Sequence, residues 1–371
     1  MCFHFNWIVA PSINGIHRGT SLNNGLPVLQ AEQHWLNNTG VINTSTSEFQ
    51  AKLAHGLEEY ASRLLSFETL NYDFIKGNMT FLLYTRENML HPDKLVPHMQ
   101  STINASHYQP MKKTVVLVHG YDTNAESADS VQMIKNELLK NDDMNVIGAD
   151  WGPIAELPPN ASLPIGVAVA SLQSPWVGRY IGEMISDLID VGQSPDDVHM
   201  VGHSLGAHIA GFAGKYLNSI NRSVHRITAL DPSSIVFTDV RVGHRLAEND
   251  AKFTDCLFTA AKTLAVGDTP CHANFYPNGC AVGQPGCEVE QKYSLPGGCS
   301  HSRVVELFAE SINTKPIDFP TKMCDRMPCV GNGAICWPTS RTIMGYWANP
   351  EEKGIFYTET NGKPPYLVKT G

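Results

Sequence analysis

The chain has 371 residues, 42% hydrophobic and 17% charged, with a formal net charge of −9. That composition excludes a disordered chain and leaves room for one sizeable α/β domain or two ordinary ones. The acidic balance argues against nucleic acid as a partner and against simple attraction to anionic membrane surfaces. No apolar run approaches the about 20 residues a transmembrane helix needs.

Residues 1–65 are rich in Asn, Ser and Thr with weak periodicity, and are read as a variable leader segment holding one short helix near "EFQAKLAHGLEEYASRLL". The opening "MCFHFNWIVAPSING" is a poor signal peptide, because it has no basic n-region and His4 and Asn6 interrupt its apolar stretch. Buried strands are predicted at "MTFLLYTR" (79–86) and "KTVVLVHGY" (113–121), both rich in apolar, partly β-branched residues and ended by turn signals. "SADSVQMIKNELLKN" has helical spacing, with Val131, Ile134, Leu138 and Leu139 on one face. "MNVIGADWG" reads as a strand and "VGRYIGEMISDLIDVG" (177–192) as an amphipathic helix closed by Gly192. Then come "VHMVGHS" as strand, "LGAHIAGFAGKYLN" as helix and "VHRITALDPSS" as strand. Alternation of this kind implies a mostly parallel sheet covered on both faces, with active residues in loops at the carboxyl ends of its strands.

Gly202-His203-Ser204-Leu205-Gly206 matches the G-x-S-x-G nucleophile elbow. Small residues two before and two after the serine allow a strained strand-to-helix turn, which exposes the hydroxyl beside unpaired helix amides. A nucleophilic serine needs an orienting acid and a base further along, in that order. Asp231, in "ITALDPSS", stands 27 residues on and is followed by Pro232; the pair could also be no more than a turn. Among the 15 histidines, His301 in "GGCSHSRVVELFAESI" is placed in a loop just before a helix. His203 and His208 are too near Ser204 along the chain to approach it from the relay side, and His119 is expected to shape a loop. Asp250 and Asp255 are rival acids, expected to be solvated.

Nine cysteines, eight of them between 256 and 336, and six Asn-X-Ser/Thr sequons at Asn37, Asn43, Asn78, Asn104, Asn160 and Asn221 point to the secretory pathway. The chain is therefore read as secreted, with disulfides rather than metal thiolates. A zinc site from Cys271, His272 and Cys280 has irregular spacing and is disfavoured.

Taken together, "KKTVVLVHGY", "VIGADWG", "VHMVGHSLGAHIAGFAG", "ITALDPSS", "NDAKFTD", "NFYPNG", "QPGC" and "CSHSRVVELFAESI" resemble the pancreatic lipase family over roughly residues 75–360. The resemblance implies an α/β-hydrolase fold over residues 66–371, with Ser204 as nucleophile, Asp231 as orienting acid and His301 as general base. It also implies an oxyanion hole from the backbone amides of Leu205 and Tyr121, and a lid closed by a Cys287–Cys299 disulfide. A Cys324–Cys336 bridge fits the family spacing, while Cys256, Cys271, Cys280 and Cys329 stay unassigned. No cofactor is implied.

Three departures bear on substrate. The lid would hold only eleven residues, "EVEQKYSLPGG"; the neighbouring loop is short; and the chain ends at Gly371 without a colipase-binding β-sandwich. A short lid goes with the phospholipase A1 branch of the family, so release of the sn-1 fatty acid from phospholipid aggregates is expected. Triacylglycerol or galactolipid hydrolysis by the same triad, a soluble esterase, and a non-catalytic yolk-like lipid-binding protein are the alternatives. Lipid docking is expected to use Tyr293 and Leu295 of the lid rather than cationic patches. The family's calcium loop maps onto 231–259 with Val242 and Ala247 where carboxylates would be, so no structural calcium is expected and Asp250 is expected to pair with Arg245.

Overall fold

A computed structural model describes residues 72–155, 163–238, 242–279, 282–288, 297–313, 320–329 and 333–368. The leader 1–65 with its expected helix, Cys280, and the lid residues Tyr293 and Leu295 lie outside the described residues.

One eleven-stranded sheet organises the rest. Its strands are β1 (Thr80–Tyr84), β2 (Asp93–Leu95), β3 (Thr114–Val118), β4 (Asn145–Asp150), β5 (Val198–His203), β6 (Arg226–Leu230), β7 (Phe253–Leu257), β8 (Ala273–Pro277), β9 (Pro320–Cys324), β10 (Cys336–Ile343) and β11 (Gly354–Thr358), in the order β10-β9-β11-β8-β7-β6-β5-β3-β4-β1-β2. From β4 through β3, β5, β6, β7 and β8 to β11 every neighbour pairs in parallel. β1 and β2 close one edge antiparallel, and β9 and β10 the other. The central strands are mostly apolar and buried because helices cover both faces; β3 and β6 are buried at every position. This is the doubly covered α/β-hydrolase architecture.

The helices are α1 (Tyr72–Asn78), α2 (Gln100–Asn104), α3 (Asp129–Asn141), α4 (Gly152–Ala155), α5 (Leu163–Asp190), α6 (Leu205–Ser219) and α7 (Gly298–Asn313). Side chains of α1, α4, α5 and α6 pack on one face in a core with Trp151, Phe258 and Tyr276. On the other face α3 and α7 meet Leu82, Leu117, Phe275 and Phe356. The expected helix at 177–192 is the second half of the longer α5, which begins at Leu163.

α5 and α6 lie in close contact because glycine lines the seam. A Cβ built on Gly178 would stand 2.5 Å from the Phe212 Cβ and 2.6 Å from the Ile209 carbonyl oxygen, and one on Gly182 would stand 2.5 Å from the Tyr216 ring. That approach seats α6 deep against the sheet and fixes its N-terminus at the end of β5.

Disulfides join Cys287 to Cys299 and Cys324 to Cys336, as the family resemblance implies, and also Cys256 to Cys271. The last bridge overturns the zinc alternative, since the Cys271 sulfur is already bonded to Cys256. Cys329 is disulfide-bonded as well.

Candidate active site

Three consecutive strand ends build the site. β5 ends at His203 and Ser204 follows with φ 55° and ψ −119°, a left-handed φ that non-glycine residues seldom adopt. Crossing of β5, α6 and β3 leaves no volume beside it. A Cβ on Gly202 would fall 2.3 Å from the Gly206 oxygen, and one on Gly206 would fall 2.3 Å from the Val118 oxygen. The Ser204 amide donates to the Leu230 carbonyl at 2.9 Å and its carbonyl accepts from Ser233 at 3.2 Å, so the strained turn is held by the neighbouring strand end.

β6 ends at Leu230, and Asp231 turns back with φ 49°. Its carboxylate is wholly buried. Oδ1 accepts the Thr259 and Ala260 amides at 2.9 and 3.0 Å, which leaves Oδ2 for His301, whose Nδ1 lies 2.5 Å away. A carboxylate oxygen accepts, so the Nδ1–H of His301 donates to Oδ2 and Nε2 is the ring nitrogen left to face Ser204.

His301 lies within the first turn of α7, which begins at Gly298, rather than in a loop before it; its amide donates to the Gly297 carbonyl at 2.8 Å. The Cys287–Cys299 bridge anchors that turn. The Ser300 hydroxyl accepts the Gly283 and Gln284 amides at 2.9 and 3.1 Å, and the Gln284 side chain donates to the carbonyls of Thr259 and Pro277 at 3.3 and 3.0 Å. His301 and Asp231 are thus tied to the same loop.

The His203 ring tilts against His301 with centroids 4.8 Å apart, and its Nε2 donates to the His301 carbonyl at 3.2 Å. Burial, and then the neighbouring His301, hold its pKa well below the usual histidine range. His208 lies under the elbow, stacked on Phe237 at 3.8 Å and donating to the Ser233 carbonyl at 2.9 Å; burial pushes it down to about 3. His119 is buried in the turn after β3, as a loop-shaping residue should be. Leu205 is the first residue of α6, where an amide has no acceptor inside the helix. Tyr121 follows Gly120, where an added Cβ would lie 3.3 Å from the Ser204 Cβ. Tyr121, Ser204 and Asp231 thus follow the carboxyl ends of the neighbouring central strands β3, β5 and β6, with His301 bonded to Asp231.

Two expectations about the acidic rivals are corrected. Asp255 is fully buried, not solvated, because Arg226 grips it through two bonds of 2.7 Å at the far end of the strands. Asp250 is also buried and pairs with Lys215, not Arg245, which forks onto Asp268. Asp250 takes the Ala247 amide at 2.8 Å, and burial pushes its pKa up to about 6 against the pull of Lys215. The ammonium of Lys215, from α6, occupies the place beside Asp250 where a cation would neutralise it. Sequence reading missed this lysine because its partner lies 35 residues away. It missed the amides on Asp231 for the same reason: backbone donors leave no mark on residue identity.

A model of the lipase family matches residues 52–366. The chain belongs to the lipase family. It is 33% identical over 337 residues to lipase member H-A of Xenopus laevis, spanning 85% of this chain and 69% of that protein. Pancreatic lipase-related protein 2 of Cavia porcellus is 33% identical over 253 residues, spanning 66% of this chain and 54% of its own. Human lipoprotein lipase is 27% identical over 319 residues, spanning 80% and 65%. Among solved structures, Aspergillus fumigatus lipase B aligns at 16% identity over 55% of this chain and 53% of that one, with a TM-score of 0.30. Membership in the family makes the protein a carboxylic ester hydrolase acting on lipids. Among the described residues no helix is long and apolar enough to cross a membrane.

Proposed function

We propose that the protein is a secreted phospholipase A1 in which Ser204, Asp231 and His301 form the catalytic triad. The observation that carries the triad is the 2.5 Å contact between His301 Nδ1 and an Asp231 carboxylate already fixed by two amides, at the strand end that carries Ser204. Nε2 of His301 takes the proton of the Ser204 hydroxyl as that oxygen attacks the ester carbonyl. The imidazolium that results is stabilised by Asp231, and the tetrahedral oxyanion by the amides of Leu205 and Tyr121. Collapse expels the lysophospholipid alcohol, which takes the proton back from His301, and water then hydrolyses the acyl-serine by the same steps in reverse roles.

The choice of phospholipid rests on the eleven residues between Cys287 and Cys299. A lid that short leaves a polar headgroup room beside the ester. Vesicles of phosphatidylcholine with distinguishable sn-1 and sn-2 chains, assayed beside emulsified triolein with Ser204→Ala as control, test the reading. Release of the sn-1 acid, little release from triolein and none by the variant is the expected result. A preference for triolein would overturn the phospholipase assignment and keep the triad.

Secretion is supported by the bonded cysteines and by the sequons. Among the described sequons, Asn104 and Asn221 are exposed, whereas the Asn78 amide donates to the Phe74 carbonyl at 2.8 Å. Peptide mapping of protein from a secretory host should find glycan on Asn104 and Asn221; bare asparagines at both would count against that compartment.

A further inference from the structure

The turn after β3 contains a histidine that the proposed mechanism does not use. His119 is fully buried beside Trp151, itself fully buried, with the imidazole and indole stacked at 5.4 Å and 10° apart. The Trp151 ring nitrogen donates to the His119 carbonyl at 3.0 Å. The Trp151 backbone N–H donates to His119 Nε2 at 3.1 Å. A carbonyl can only accept, so a ring nitrogen that bonds to one must carry a proton. Asp150 Oδ1 lies 3.2 Å from the same Nε2 and also accepts the Gly152 and Ala125 amides at 3.1 and 3.3 Å. Nδ1–H has one acceptor, the Gly120 carbonyl at 2.8 Å.

That carbonyl shares a planar trans peptide with the Tyr121 N–H, and the two point in opposite directions. Fixing the oxygen fixes the direction of the N–H. Gly120 is also the residue whose added Cβ would touch Ser204 at 3.3 Å. We infer that His119 is a positioning residue: by donating from Nδ1 to the Gly120 carbonyl, it aims the Tyr121 amide at the oxyanion formed on Ser204. The inference rests on the triad and oxyanion reading above. Trp151, the residue after β4, takes part by stacking on the imidazole and by bonding to both Nε2 and the main chain of His119.

An oxyanion bond strengthens only as charge develops on oxygen, so its loss appears in kcat and not in KM. The test uses the full chain, a soluble short-chain ester and the matching thionoester, whose sulfur is a poorer acceptor. His119→Leu should lower kcat on the ester by about 10²-fold with KM within about twofold, and should lower it less on the thionoester. His119→Asn, whose amide nitrogen can reach the Gly120 carbonyl from the Nδ1 position, should restore about tenfold. Equal losses on the two substrates, or a loss confined to KM, would overturn the role. Nitrogen NMR of the imidazole in the unmutated protein makes the test independent of folding. A proton on Nδ1 is expected, and a ring protonated on Nε2 alone overturns the inference. Ser204→Ala separates the two readings. If it stays active, the nucleophile is wrong; if it is inactive while His119→Leu keeps the wild-type kcat, only the positioning role fails.

Discussion

Ser204 holds a left-handed φ of 55° between two glycines that cannot be replaced without displacing backbone. The 2.3 Å approach of a Gly206 Cβ to the Val118 oxygen cannot be relieved by a rotamer change, because the obstacle is main chain of β3. Gly206→Ala should therefore lower kcat by about 10²-fold or more and destabilise the fold by about 1–3 kcal/mol. Activity on a soluble ester together with the thermal midpoint checks both, and wild-type values for either would contradict the packing account. At this scale the sequence was explicit. A serine framed by glycines between a strand and a helix has few other uses, and Asp231 followed by Pro232 marks a strand end. The geometry around Asp231 was not legible, because its two stabilising donors, Thr259 and Ala260, contribute only backbone N–H.

Between elements, the contact of α5 with α6 decides where the elbow sits. Gly178 meets the Phe212 Cβ and the Ile209 carbonyl, neither of which can swing aside. Gly178→Ala should force the helices apart and cost about 1–3 kcal/mol, read as a lowered denaturant midpoint, with kcat falling as α6 shifts. A midpoint equal to wild type would mean that the seam yields freely. The helical spacing of 177–192 was readable from its apolar face, but its extension back to Leu163 was not, since Pro164 and Pro175 signal breaks. Likewise "GGCSHS" looks like a loop from its glycines, yet the Cys287–Cys299 bridge and the Ser300 bonds carry α7 back to Gly298.

For the molecule as a whole, buried histidines set the response to acid. His208 titrates near 3 when folded against 6.5 when exposed, and burial holds His199 well below 6.5 too. As pH falls below 6.5 the unfolded chain takes up protons that the folded chain refuses, so stability is lost by about 1.4 kcal/mol per pH unit for each such histidine. Asp250 works the other way: raised from 3.8 to about 6, it binds a proton more readily when folded and stabilises the protein as pH falls through that window. With His203, which burial holds down in the same way, three buried histidines outweigh one carboxyl, so the urea midpoint should fall from pH 7 to pH 4 and fall less steeply in His208→Leu; identical slopes would contradict the buried neutral ring. The alternation of strands and helices revealed the mostly parallel sheet, while long-range pairs such as Lys215 with Asp250 could not be read from either partner alone. The Cys256–Cys271 bridge was among these hidden pairs. It closes the connection that supplies the Thr259 and Ala260 amides to Asp231 and sends the Val266 amide to the Pro232 carbonyl. On the proposed mechanism the bridge helps to fix Asp231, and the oxidation state of the surroundings becomes a determinant of catalytic competence. Replacing both cysteines with serine should lower kcat from severalfold to about 10²-fold while Ser204 and His301 remain intact, and mild reduction of the wild type should reproduce the loss. An unchanged kcat would show that the connection's own hydrogen bonds suffice. A lost one would mean that the enzyme is switched on by the oxidising compartment that receives it.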